Sequence, residues 1–114
     1  MADSPGGDTT VGMGGCLDRE WQYWDGRLNT AYKRQMGRAK AIDAEMADLG
    51  ANVPSQSDAL RDMQRAWIPF RDGKCGYEYS QWGGGTGGGP AITACMMVET
   101  GEQALYLENA GLGD

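Results

Sequence analysis

Mostly apolar residues recur at steps of three and four between Leu17 and Met46, and this period constrains the fold more than any other feature. The stripe consists of Leu17, Trp21, Trp24, Leu28, Tyr32, Gln35, Ala39, Ile42 and Met46. Such spacing places them on one face of an α-helix and predicts an amphipathic helix of about eight turns. We expect it to end near Gly50, which can cap it, before Pro54, which blocks continuation.

A second helix is predicted to begin at Ser55 or Ser57, where a hydroxyl can accept hydrogen bonds from free amides of the first turn. Its inner face is expected to carry Leu60, Met63, Trp67 and either Phe70 or Arg71. Pro69 cannot donate an amide hydrogen bond and crowds the preceding turn, so a kink near Ile68 is predicted.

The stretch GGGTGGGP holds six glycines in eight residues and predicts a loop, because glycine is costly inside a helix. A phosphate-binding loop is disfavoured, since no Lys-Ser or Lys-Thr pair follows and no apolar strand precedes it. Beyond Pro90 a third helix is predicted from residues at helical spacing, which are Ile92, Cys95, Met96, Glu99, Gln103 and Tyr106 or Leu107.

The chain of 114 residues is long enough for one domain, which we place at residues 16–109. Residues 1–15 contain five glycines and are expected to form a flexible, disordered tail, and residues 110–114 to fray. Only 40% of the residues are hydrophobic and 19 are glycine, so the core is small and a covalent staple would help to stabilise it.

Cys75 and Cys95 flank the glycine loop, and a disulfide between them would tie the second helix to the third. By the chain-entropy estimate, closing that segment raises the free energy of unfolding by about 3 kcal/mol. The alternative is a pair of buried free thiols, and three cysteines allow three different pairings. If Cys75 and Cys95 are bonded to each other, Cys16 is either free or joined to another chain.

The charge and the missing residue types disfavour several classes of function. A net charge of -6 argues against nucleic-acid binding and suits an encounter with a basic protein. Histidine is absent and the cysteines form no CxxC, so we expect no enzyme, metal or cofactor. No apolar run approaches the roughly 20 residues of a membrane span.

Arg71 and Asp72 are adjacent and therefore point to different faces of the second helix. We expect Arg71 to reach the first helix and pair with Asp25 beside Trp67, which would fix the register of the two helices. A polar ligand pocket is the alternative. The structural interpretation is favoured because tryptophan stripes at helical spacing usually belong to a core.

Three blocks of sequence carry a family resemblance: CLDREWQYWDGRLNTAYKRQM, LRDMQRAWIPFRDGKCGYEYSQWGGGTGGGP and AITACMMVET. Their most specific residues are Asp25, Leu28, Asn29 and Tyr32, followed by Gln64, Trp67, Phe70, Arg71, Asp72 and Cys75. Together they resemble the lysozyme-inhibitor LprI-like domain, from about Cys16 to Leu107. We expect these residues, with Trp21 and Trp24, to form the structural core.

The resemblance implies a helical domain in an oxidising compartment, because members of this family carry signal peptides or lipid anchors. It therefore favours the Cys75 to Cys95 disulfide and a periplasmic or secreted protein from which the signal sequence has been removed. At least one member inhibits lysozyme, so lysozyme is the protein partner it suggests. Family members often have a further cysteine upstream of the one matching Cys16, and this chain lacks it.

We therefore predict an all-α bundle: a long first helix antiparallel to a kinked second, and a shorter third pinned by the disulfide. The expected function is a binding protein that occludes the lysozyme cleft; the alternative is a structural or accessory cell-envelope protein with another partner. Candidate contacts are residues 52–56 and 77–89, with Glu78, Tyr79 and Trp82 as anchors. An exposed acidic and aromatic patch beside the glycine loop would favour the first function.

Overall fold

The computed structural model describes residues 9–110, with side chains from residue 15 onward. These residues form three helices, α1 (Thr9–Asp48), α2 (Gln56–Ser80) and α3 (Gly88–Asn109), and contain no strand. The all-α prediction is confirmed. The expectation that structure starts near Cys16 was wrong, because α1 begins at Thr9; once a helix is nucleated, each added residue gains a hydrogen bond. The remainder of the predicted tail, residues 1–8, and residues 111–114 lie outside the described residues.

The centre of the bundle is the contact between α1 and α3. Leu28 and Ala31 of α1 form the buried core with Ala104 and Leu107 of α3. The indole of Trp24 lies on Gly101, where a Cβ would approach it to 3.3 Å. Small residues on α3 therefore allow the two helices to approach closely. α1 also contacts α2, but its contact with α3 is the larger one.

Pairs of contacts give the directions of the helices. Trp24 meets Gly101 and Gln35 donates to the carbonyl of Ala110, so α3 runs parallel to α1. The predicted disulfide is confirmed, and it joins α2 to the antiparallel α3 with a Cα separation of 5.5 Å. Leu60, Met63 and Trp67 of α2, with Tyr32 of α1, pack around the central core.

α2 continues through Pro69 to Ser80, and the bend predicted near Ile68 stays a prediction. Phe70 is 60% exposed, so its expected place in the core was wrong. Arg71 takes the inward position instead, because its guanidinium lies over the ring of Trp67, 4.8 Å from the centroid.

The predicted ion pair between Arg71 and Asp25 was also wrong. Arg71 lies on the side of α2 that faces α3, where Nη1 donates to Thr100 Oγ1 at 3.4 Å, and Nε donates to the neighbouring Asp72 at 3.0 Å. The remaining motif residues occupy mixed positions: Trp21 and Asp25 are half-buried, Asn29 is exposed, and Gln64 accepts a hydrogen bond from Gln103.

α3 begins earlier than predicted, at Gly88 rather than beyond Pro90. Pro90 is tolerated in the first turn because the amide it lacks would have no partner inside the helix. The loop before it contains Gly83 and Gly84, whose φ angles of 57° and 89° favour glycine. The loop thus lies between the end of α2 and the start of α3, beside the disulfide.

Candidate protein-binding face

A groove of about 670 Å³ runs between the last turns of α2 and the first two thirds of α3. Its apolar lining comes from Ala91, Ala94, Cys95 and Val98 of α3, and its aromatic lining from Tyr77 and Trp82. Its charged lining consists of Lys74, Glu78, Glu99 and Glu102. We call this set of residues the groove face. Since the disulfide joins its two walls, the groove is covalently braced.

The groove face is acidic. Lys74 donates to Glu99 at 2.7 Å, and this ion pair crosses between the two walls. The pKa of Lys74 is raised, first because Glu99 accepts its hydrogen bond, with smaller attractions from Glu78 and Glu102. One ammonium and three carboxylates leave a local net charge of -2.

Two aromatic side chains, those of Tyr79 and Trp82, pack against the glycine-rich loop. A Cβ at Gly87 would come within 3.0 Å of three atoms of the Trp82 ring, so only glycine leaves room for the indole there. A Cβ at Gly88 would approach Tyr79 to 3.0 Å. Both rings thus pack on backbone with one face, yet Trp82 stays 51% and Tyr79 47% exposed. The loop therefore orders Trp82 at the rim of the groove.

Of the residues singled out as contacts, the structure brings Glu78 and Trp82 together in the groove, whereas Tyr79 lies outside its lining. Residues 52–56 lie at the opposite end of the bundle, near the end of α1. There the amide of Gln56 donates to Asp43 at 2.7 Å, so part of this connector holds the fold together.

Sequence reasoning missed the contribution of α3, which supplies Val98, Glu99 and Glu102. A signal existed, because these residues lie three, four and seven positions after Cys95 and so share its side of a helix.

Among the described residues, no three of the metal-ligating types cluster, and no helix has the length and apolarity needed to cross a membrane. Asp43 and Glu108 have lowered pKa values, in each case first through side-chain hydrogen bonds, to Ser57 and to Arg27 respectively. Both groups join helices to one another.

The chain matches the family described as "Lysozyme inhibitor LprI" over residues 1–107. It belongs to this family. The resemblance found in the three sequence blocks is thus confirmed. The description of the LprI family names one protein target, lysozyme.

Several curated proteins are similar to this LprI family member. An uncharacterized protein of Rhizobium meliloti is 29% identical over 82% of this chain and 67% of its own length. An uncharacterized 17.7 kDa protein of Rhodobacter capsulatus is 28% identical over 89% and 63%. The uncharacterized protein YecT of Escherichia coli is 27% identical over 82% and 59%. The chain thus spans about two thirds or less of these relatives, and no solved structure matches it.

Proposed function

We propose that the protein binds lysozyme through the groove face and inhibits it by occluding the substrate cleft. The observation that carries this proposal is the exposed acidic and aromatic face beside the glycine loop. Membership of the LprI family supports the choice of lysozyme as the partner.

Electrostatics supports this partner. Lysozymes of the common type are basic and cleave glycosidic bonds with two carboxyl groups. An acidic face attracts a basic protein and speeds the encounter. Once bound, the inhibitor needs only to exclude the polysaccharide, so no catalytic group of its own is required.

The groove face also has the composition of an interface centre. Tryptophan and tyrosine supply a large share of the binding energy when they are buried at the middle of an interface. Trp82 is held by Gly87 before any partner arrives, so little conformational entropy is lost on binding. A scaffold protein that ignores lysozyme would not need an ordered, half-exposed tryptophan at this place.

The proposed location is the periplasm or the exterior of the cell. Support comes from the Cys75 to Cys95 disulfide, because such bonds persist in oxidising compartments and are rare in the cytosol.

The test is lysis of a peptidoglycan suspension by a c-type lysozyme with rising amounts of the oxidised protein. We expect dose-dependent inhibition, weakened about tenfold or more by Trp82→Ala because the anchor of the interface is lost. Leu49→Ala is the control, since Leu49 is 72% exposed at the other end of the bundle. Absence of inhibition at large excess would refute the proposal and favour an accessory envelope protein with another partner.

A further inference from the structure

We infer that the groove is a binding site for one basic side chain, preferably arginine, projecting from the partner. Only the identity of the partner, lysozyme, rests on the proposed function. The chemistry of the site comes from the groove itself and can be tested without lysozyme.

The first support is a pattern that the protein uses twice inside its own fold. Arg27 lies over the ring of Trp24 at 4.4 Å and donates to the carboxylate of Glu108 at 2.8 Å. Arg71 repeats the pattern, with its guanidinium over Trp67 at 4.8 Å and a carboxylate of α2 as its acceptor. In both places an arginine is held between an indole and a carboxylate.

The groove presents the same two groups, and its own cation, Lys74, is paired with Glu99. Trp82 lines it together with Glu78 and Glu102, and no cationic side chain lies over the Trp82 ring among the described residues. Glu78 and Glu102 also form no hydrogen bond or ion pair with another described side chain, because Lys74 is engaged by Glu99. Two carboxylates and an indole are therefore available to a ligand.

The lining suits the whole of a basic side chain. The methylene stem of arginine or lysine packs well on apolar surface while its charged end stays at the rim. Here Ala94 and Val98 offer such surface, and Glu78 and Glu102 supply the acceptors. Arginine should bind more tightly than lysine, because its planar guanidinium stacks on an indole and forms two parallel hydrogen bonds with a carboxylate.

The experiment uses a short blocked peptide with one central arginine, and the same peptide with citrulline, which keeps the shape and removes the charge. Binding to the whole protein is followed by NMR through the indole N–H resonance of Trp82. We expect saturable shifts with the arginine peptide and affinity at least about fivefold lower with citrulline, from the lost cation–π and ionic contacts.

Two double variants are matched in charge. Glu78→Gln/Glu102→Gln removes two negative charges from the groove, and Glu45→Gln/Asp48→Asn removes two from the exposed end of α1. Only the first pair should weaken binding of the arginine peptide. Equal affinity for citrulline in the wild-type protein, or equal losses in both variants, would overturn the inference. Inhibition of lysozyme without binding of the peptide would overturn it too and leave the proposed function standing.

Discussion

Asp43 joins α1 to the first turn of α2. Its carboxylate accepts hydrogen bonds from the hydroxyls of Ser55 and Ser57 at 2.7 and 2.6 Å, and from the amides of Gln56 and Ser57 at 2.7 and 3.1 Å. These bonds hold the pKa of Asp43 well below its ordinary value of 3.8, and the hydrogen bonds from the hydroxyls of Ser57 and Ser55 contribute most. The carboxylate thus satisfies amides at the start of α2 that have no partner within that helix.

Replacing Asp43 with asparagine should lower the melting temperature at neutral pH by several degrees, since one carboxylate oxygen and the charge are lost. Because the folded pKa lies below 3.8, the stabilisation is full above that pH and disappears as the pH falls through the folded pKa. The difference from the wild type should therefore shrink below about pH 4. Thermal unfolding measured at several pH values checks this.

The control for this prediction is Asp48→Asn, which changes an exposed carboxylate at the end of the same helix. It should leave the melting temperature nearly unchanged. A difference between Asp43→Asn and the wild type that does not depend on pH would contradict the role of the charged carboxylate.

Substitutions at Gly87 and Gly89 form a matched pair that tests whether Gly87 positions the indole of Trp82. Gly87 has φ -74° and ψ -11°, which alanine adopts without strain, and a Cβ at Gly89 would meet nothing within 4 Å. Gly87→Ala should displace the indole and make Trp82 more accessible to acrylamide quenching, whereas Gly89→Ala should not. Both should remain folded, as judged by circular dichroism. Equal quenching in the two variants would show that Gly87 does not order Trp82.

At the level of elements, the disulfide holds the ends of α2 and α3 that form the groove. Its cysteines are 20 residues apart, and Cys75 is fully buried. The α1 to α3 core, with Leu28 and Leu107, lies nearer the C-terminal end of α3 and contains neither cysteine. Loss of the disulfide should therefore affect one end of the bundle more than the other.

Changing both bonded cysteines to alanine should lower the free energy of unfolding by about 3 kcal/mol, measured by urea denaturation. Hydrogen exchange should rise most around the groove, for example at Ala94, and least at Leu107. The control is Cys16→Ala, which removes an exposed free thiol and should change neither. A uniform rise in exchange along α3 would mean that the bond stabilises the whole bundle instead.

Sequence periodicity predicted the elements better than their arrangement. The apolar stripe from Leu17 to Met46 predicted α1, because amphipathic spacing directly reflects one buried face. It did not predict that α3 dominates the packing on α1, since that contact depends on Gly101 and Ala104. Such small residues give a weak hydrophobic signal, although they allow close approach of two helices.

The candidate site, like the arrangement of the helices, was only partly predictable from the sequence. Glu78 and Trp82 stood out because they lie next to the glycine loop, where an aromatic side chain makes a good anchor for a partner. Val98 and Glu102 did not, because they reach the site only through the pairing of α2 with α3. The partner of Arg71 was missed likewise, since sequence spacing does not say which neighbouring helix a side chain faces.

On the scale of the whole molecule, the charges are distributed unevenly. Between Gly26 and Ile42, α1 carries basic side chains and no carboxylate, and those of Lys33, Arg34, Arg38 and Lys40 are exposed. The groove face has the opposite sign, with a local net charge of -2. A basic protein approaching this molecule is therefore repelled by the middle of α1 and attracted to the groove face, which favours one orientation of the encounter.

This asymmetry makes a kinetic prediction for the complex with lysozyme. Lys33→Gln/Lys40→Gln takes the net charge from -6 to -8 at a surface away from the groove, so at low salt it should raise the association rate and leave the dissociation rate unchanged. Glu78→Gln/Glu102→Gln should lower the association rate and also speed dissociation, because it removes contacts as well as charge. Surface-binding kinetics over a range of salt concentrations separates the two effects.

Added salt provides the internal control for that comparison. Near 1 M salt the screening length falls to about 3 Å, so the change in association rate caused by the Lys33 and Lys40 substitutions should vanish. The faster dissociation of the Glu78 and Glu102 variant should persist, because groups in direct contact are screened much less. If the α1 substitutions changed dissociation instead, α1 itself would be in contact with lysozyme, and the groove face would not be the centre of the interface.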